Sequence, residues 1–277
     1  MLISLPFPAG LKPLIGVVHL APLPGSPRWA ASGREPLEAI VTRAVADAEA
    51  YVAAGFDGLI VENYGDAPFY KQVPPETVAA VARCAREIVL RAGGRPVGLN
   101  LLRNDPRAAL ACALAAGGAF VRVNVHSGMA ATDQGLIEGD AAETLRLREA
   151  LGAGPTGPTP LALLADVHVK HARPLDALDV GQAAEDAAGR GLADGLIVSG
   201  RATGAAPDPA RLEAVRAAVP GVPLFLGSGL TVVGCARLVP LIDGAIVGSA
   251  AEEGGKAGGR VDPERARALL AAFRAAS

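Results

Sequence analysis

The stretch GLIVENYGDAPF, residues 58–69, decides how this chain is read, because an apolar strand there runs straight into a carboxylate and an amide. Leu59, Ile60 and Val61 have the continuous apolar character of a strand covered on both faces. Glu62, Asn63 and Asp66 follow at once, in a loop punctuated by Gly65 and Pro68. A carboxylate at the end of a buried strand is costly, so its placement calls for a chemical reason.

The same unit recurs on both sides of this stretch. Short apolar runs at residues 14–20, 56–62, 96–101, 119–125, 161–169, 194–199, 222–227 and 243–248 alternate with longer segments rich in Ala, Leu and Arg, the pattern of repeated βα units. Asp105-Pro106, Asp208-Pro209 and Asp262-Pro263 each set an N-cap acid before a proline at the first helical position, and Asp140 with Glu143 resembles a capping box. Eight units predict an α/β fold, a single-domain (β/α)8 TIM barrel over residues 1–277. A doubly wound open sheet is the alternative. It would gather polar residues at one switch point, whereas here they follow many strands, and no linker or composition shift divides the chain. The Gly/Pro-rich run GAGPTGPTP, residues 152–160, reads as a loop at the barrel's lower rim.

Composition narrows the function. A 51% hydrophobic content supports a large core, and a net charge of −2 with a pI near 6.1 offers no basic surface for nucleic acid. Cys84, Cys112 and Cys235 lack metal-ligand spacing and read as buried, reduced thiols. With no signal peptide and no apolar run of about 18 residues, the expectation is a cytoplasmic protein without an integral membrane segment. Peripheral membrane contact and a homo-oligomer stay open.

All four histidines, His19, His126, His168 and His171, fall at or just past the carboxyl ends of expected strands, the face on which barrel enzymes keep their active sites. Period-two spacing puts Arg122 and Asn124 on one face of the fourth strand, and Asp166, His168 and Lys170 on one face of the fifth. Since the outer face meets apolar helices, these should point into the mouth with Asn100, Glu62 and His19. A purely structural polar layer closing the barrel top is the competing reading. Gly227-Ser228-Gly229 and Gly248-Ser249 end the last two strands with small residues whose amides can approach an anion, the usual phosphate corner of such barrels, and the loop from Ser199 and Gly200 through Arg201, Thr203 and Gly204 extends it. Lys170 fits an electrostatic clamp, a general base or a Schiff-base former. Glu62 and Asp66 fit acid–base roles, metal ligation or sugar hydroxyl binding, with Asp66 alternatively capping its own loop. His19, Asp166, His168 and His171 are suitable metal ligands, but the first strand lacks an HxH pair, so a divalent metal ranks behind a site with no cofactor.

At these residues the chain resembles the BtpA family over nearly its full length. The resemblance rests on LIGVVHLAPLPGSP (14–27), GLIVENYGDAPF (58–69), GLNLLRND (98–105), FVRVNVHSG (120–128), TDQGLIEG (132–139), ADVHVKHA (165–172), SGRATG (199–204) and LGSGLT (226–231). It implies a barrel comparable to the ribulose-phosphate-binding barrels and, for phototrophs, a part in photosystem I biogenesis. One departure stands at AAEEGGKAGGR (250–260), where Glu252 and Glu253 intervene before Lys256 at a corner expected to carry a lysine earlier.

The resulting expectation is a barrel that binds a small phosphorylated metabolite, a sugar phosphate or nucleoside-derived phosphate. Glu62, Asp166, His19, His168 and Lys170 are its catalytic candidates. Asn63, Asp66, Asn100, Arg103, Arg122 and Asn124 would bind substrate, and Ser199, Gly200, Gly227, Ser228, Gly229, Gly248 and Ser249 would bind phosphate. Lyase, isomerase and transferase chemistry all fit these groups. The alternative is a non-enzymatic biogenesis or stability factor for a photosynthetic pigment-protein complex, which should expose a sizeable apolar patch in place of a deep polar pocket.

Overall fold

The eight expected strands form and close on themselves. In the computed structural model, which describes residues 2–175, 178–200, 202 and 204–277, the strands in chain order are β1 (Leu14–His19), β2 (Gly58–Glu62), β3 (Val97–Asn100), β4 (Phe120–Val123), β5 (Met129–Thr132), β6 (Gly135–Glu138), β7 (Ala162–Val167), β8 (Ala172–Pro174), β9 (Gly195–Val198), β10 (Leu224–Leu226) and β11 (Gly244–Val247). A closed parallel barrel runs β1-β11-β10-β9-β7-β4-β3-β2. The open-sheet alternative is thereby set aside.

Register determines which side chains face inward. His19 pairs with Glu62 and Glu62 with Asn100, so three neighbouring strands deliver polar side chains at one level on one face. Below that level the same face is apolar: Ile15, Val17, Ile60, Phe120, Ala162, Leu164, Ile197, Phe225 and Ile246 fill the barrel, and Ile3, Leu5 and Phe7 of the N-terminal segment pack against them. The two aromatic rings fit because their neighbours have no side chain. A Cβ on Gly98 would stand 2.1 Å from the Phe120 ring, and one on Gly244 2.5 Å from Phe225.

Helix starts follow the expected punctuation. Asp105 accepts from the Ala108 amide, Asp208 from Ala210, and Asp262 from Glu264 and Arg265, each ahead of its proline. Asp140 departs from the capping-box expectation: it occupies the N-cap of helix Ala141–Ala150 but makes no side-chain cap bond, its ψ of 45° being turned away from the extended cap geometry. The loop at residues 152–160 connects that helix to β7, below the barrel as expected.

A repeated clasp closes the lower rim. Asp57, Asp194 and Asp243 each precede a glycine that opens a strand, and each accepts the amide at the start of the neighbouring strand: Leu14 to Asp57 at 2.7 Å, Leu163 to Asp194 and Leu224 to Asp243 at 2.8 Å. Each also pairs with a helix arginine, Arg274, Arg148 and Arg216 respectively, at 2.5 to 2.6 Å. The clasp fixes strand stagger at the bottom, and so the level at which the mouth residues emerge.

The structure adds an element not expected from the sequence. β6, β5 and β8 form a small antiparallel sheet beside the mouth. Its inner face, Ala130, Ile137 and Ala172, packs on Val125 and Val169, so it ties the loop after β4 to the loop that carries Lys170.

Candidate active site

Arg122 is the hub of the mouth. Its Nε donates to Asp166 Oδ2 at 2.8 Å and its Nη2 to Asp166 Oδ1 at 2.9 Å, a bidentate fork, while Nη1 reaches Glu62 Oε1 at 3.4 Å. Asn124 donates to Asp166 Oδ2 at 2.8 Å, and Asn100 to Glu62 Oε1 at 2.9 Å. Asp166 is therefore saturated, whereas Glu62 Oε2 has as its near neighbour His19 Nε2 at 3.9 Å. Burial pushes the Glu62 carboxyl up, but Arg122, His19, Lys170 and the Asn100 hydrogen bond together outweigh it and hold Glu62 below its usual value. For Arg122, burial acts against the charge and the two carboxylates prevail, so it is raised further.

His19 has a partner that the sequence reading passed over. Its Nδ1 lies 2.6 Å from Oε1 of buried Glu252, and Glu252 Oε2 accepts from the Gly259 amide at 3.1 Å. The Gly258 amide also approaches Nδ1, at 3.3 Å. The shorter carboxylate contact prevails and puts a proton on Nδ1, and Nε2 faces Glu62. Tyr64 stacks on the imidazole with ring centroids 4.5 Å apart. The one signal available for Glu252 was its intrusion into the expected 250–260 pattern.

Lys170 lines two adjoining cavities of this mouth. One is walled by His19, Glu62, Arg122 and Lys170 on one side and by Gly227, Ser228, Gly229, Gly248 and Ser249 on the other. The second, of about 160 Å³, adds Tyr64, Asn100, Arg103 and Asn124. Burial lowers the Lys170 ammonium, Arg122 adds to the effect, and Glu62 and Asp166 oppose it; the net direction is down. Arg103 holds the loop by donating to the Lys170 carbonyl at 2.5 Å.

At the corner, the small residues are sterically required. A Cβ on Gly227 would stand 2.5 Å from Ser199 Oγ, and one on Gly248 2.7 Å from the His19 ring. The buried hydroxyls of Ser199 and Ser228, together with Asn124 Oδ1 and Arg103 Nε, have no hydrogen-bond partner among the described residues. Ser228 lines the first cavity and Arg103 and Asn124 the second, whereas Ser199 lines neither; each buried polar atom left unpaired costs about 1–3 kcal/mol.

Other expected residues lie elsewhere. Asn63 accepts from the Leu102 amide at 2.7 Å and donates to Asp66, and Asp66 accepts from the Leu23 amide at 2.8 Å, so both staple loops and neither lines the two cavities. The shared face expected for Asp166, His168 and Lys170 is broken because β7 ends at Val167 and His168 takes a positive φ of 52°. His168 lines a neighbouring cleft with Ser127 and Met129. His171, also at positive φ (56°), borders the larger mouth cavity. His126 leaves the mouth altogether: its buried ring bonds the Gly191 carbonyl at 2.7 Å. Gly200 packs on Ala205 outside the corner. Arg201 and Thr203 lie outside the described residues. No three His, Cys, Asp or Glu side chains among the described residues gather as a metal-ligand set.

Comparison with known proteins places this barrel. The family model described as "BtpA family" matches residues 10–275. The chain belongs to the BtpA family. One member, the Photosystem I biogenesis protein BtpA of Synechocystis, is 46% identical over 267 residues, covering 95% of this chain and 88% of the relative. Another, an uncharacterised protein of Pyrococcus furiosus, is 44% identical over 261 residues and 94% of each chain. Among solved structures, phosphoribosyl anthranilate isomerase from Thermus thermophilus superposes with a TM-score of 0.58 at 14% identity, over 95% of this chain and 100% of that one, a likeness of fold. In this BtpA-family chain no helix among the described residues is long and apolar enough to cross a membrane.

Proposed function

We propose that this protein binds a small phosphorylated metabolite, a sugar phosphate or nucleoside-derived phosphate, at the carboxyl end of the barrel and acts on it by proton transfer. One observation carries the reading: a single cavity is walled by the glycine-serine corner of the last two barrel strands and, opposite, by His19, Glu62, Arg122 and Lys170. The corner accepts the phosphate through its small residues and the Ser228 hydroxyl. Asn100, Arg103 and Asn124 position the remainder of the substrate. Proton transfer falls to Glu62 Oε2 and to His19 Nε2, with Asp166 anchoring Arg122. The phosphoribosyl group in the name of the isomerase that shares the fold is consistent with this class of ligand.

Thermal unfolding tests it. Ribose 5-phosphate and inorganic phosphate should raise Tm while ribose does not, with about 2.7 kcal/mol of stabilisation at a hundredfold excess over Kd. Ser228→Asp, which sets a like charge in the corner, should abolish the shift with the fold intact by circular dichroism. Absence of a shift with every phosphate-bearing compound would sink the reading.

A second reading, a biogenesis role like that named for the Synechocystis relative, is supported by the 46% identity over 95% of this chain. A factor acting without turnover would tolerate Glu62→Gln, whereas the first reading predicts that this variant loses activity on its substrate.

A further inference from the structure

Lys170 is unlike the other cations of the mouth. Arg122 is forked onto Asp166 and reaches Glu62, and Arg103 donates to a backbone carbonyl. Lys170 closes no ion pair within 4.0 Å and no side-chain hydrogen bond among the described residues, although Glu62 and Asp166 are both close enough to act on its charge. Arg122 and Asn124 engage one of these carboxylates, Asp166, while Arg122 and Asn100 engage only Oε1 of the other, Glu62. An ammonium meant as a structural counter-ion would sit on one of them. Lys170 also lies on the wall shared by the two mouth cavities, one of which contains the glycine-serine corner. Of the chain's four lysines, Lys12, Lys71, Lys170 and Lys256, it alone lines either of these cavities.

We propose that Lys170 is a covalent catalytic residue whose amine forms an imine with the carbonyl carbon of a phosphorylated aldehyde or ketone, the phosphate of which occupies the Gly227–Ser228–Gly229 corner. This rests on the phosphate-binding reading above and narrows its substrate class. In the step, the neutral amine adds to the carbonyl carbon: the C–N bond forms, the C=O π pair moves to oxygen, nitrogen gives up a proton and oxygen gains one. The resulting carbinolamine loses its hydroxyl, with a second proton, as water, leaving a protonated imine. Overall, carbonyl compound and ammonium give iminium and water, with no oxidant or reductant required. Glu62 Oε2, not occupied by Asn100 or Arg122, belongs to the wall of the same cavity as Lys170 and is the base we assign to carry the proton from nitrogen to the departing oxygen. The burial that disfavours the Lys170 ammonium raises the fraction of neutral nucleophile.

The test is borohydride trapping on the intact chain with dihydroxyacetone phosphate, glyceraldehyde 3-phosphate and ribose 5-phosphate, followed by peptide mapping. The expected result is a reduced adduct on Lys170, adding the mass of the carbonyl compound less one oxygen, at least tenfold above the labelling of Lys12, Lys71 and Lys256. Lys170→Arg, which keeps the charge, should lose it. Labelling of Lys170 no greater than that of the other lysines, for all three probes, overturns the proposal. Competition by inorganic phosphate, and the Tm shift with glycerol 3-phosphate, which has no carbonyl, report separately on the corner. A Tm shift without a Lys170 adduct removes the imine and leaves the phosphate reading standing. An adduct that inorganic phosphate does not suppress supports the imine and removes the corner.

Discussion

Glu62 carries a charge that its surroundings stabilise in spite of burial, and this has a pH signature. Its folded pKa lies below the unfolded value of about 4.3. The stability linked to its ionisation is therefore present above the unfolded pKa and lost as pH falls through the lower folded one. Glu62→Gln removes that contribution, so the gap in unfolding free energy between wild type and variant should be constant above about pH 6 and shrink below about pH 4. Urea titrations at several pH values measure it, and a gap that widens in acid contradicts the assignment. Glu252 makes a second prediction at this scale. Because its carboxylate selects the Nδ1–H tautomer of His19, Glu252→Ala should shift the imidazole towards the Nε2–H form in 15N NMR spectra. An unchanged tautomer would mean that Glu252 does not orient the ring.

Among the elements, the three aspartate clasps share one design at three depths. The Arg148–Asp194 pair is buried, with side chains 4% and 0% exposed, whereas Arg216 and Asp243 are 33% and 45% exposed. Asp194→Ala leaves a buried arginine and two amides without their acceptor, Ile3 and Leu163, and should cost about 3–5 kcal/mol. Asp243→Ala loses a half-buried, solvent-screened pair worth about 0–1 kcal/mol and one amide bond of about 1 kcal/mol. Equal losses in urea denaturation would refute the burial argument. The sheet of β5, β6 and β8 rests on a small satellite cluster, so Ile137→Ala should raise hydrogen exchange at Ala130–Thr132 while the barrel strands keep their protection.

For the whole molecule, the barrel brings together residues from strands far apart in sequence. His19 and Glu252 are separated by 233 residues and lie 2.6 Å apart because β1 and β11 are neighbours in the closed sheet. Closure also joins the glycine-serine corner to the His19–Glu62 side around one cavity. The apolar exposure expected of an assembly factor is modest. Met129, Leu136 and Leu175 crop out beside the small sheet, and Val232 and Val233 stand on the loop after β10.

The sequence alone determined the barrel, because eight apolar runs at the period of a buried strand admit few other closures, and strand parity placed Glu62, Asn100, Arg122, Asn124 and Asp166 inward. Parity failed where a strand ended, as at His168, whose positive φ no spacing rule anticipates. The aspartate clasps were legible in retrospect, as DGLIV at residues 57–61 and 194–198 and DGAIV at 243–247. What tertiary structure decided was partnership. Asn63 and Asp66 became loop staples and Glu252 became the partner of His19. Among the described residues Lys170 closes no ion pair, because Arg122 is forked onto Asp166 and the barrel holds Glu62 beyond 4.0 Å of the ammonium. Such pairings depend on distances across the barrel, and a one-dimensional pattern carries periodicity along each strand but not those distances.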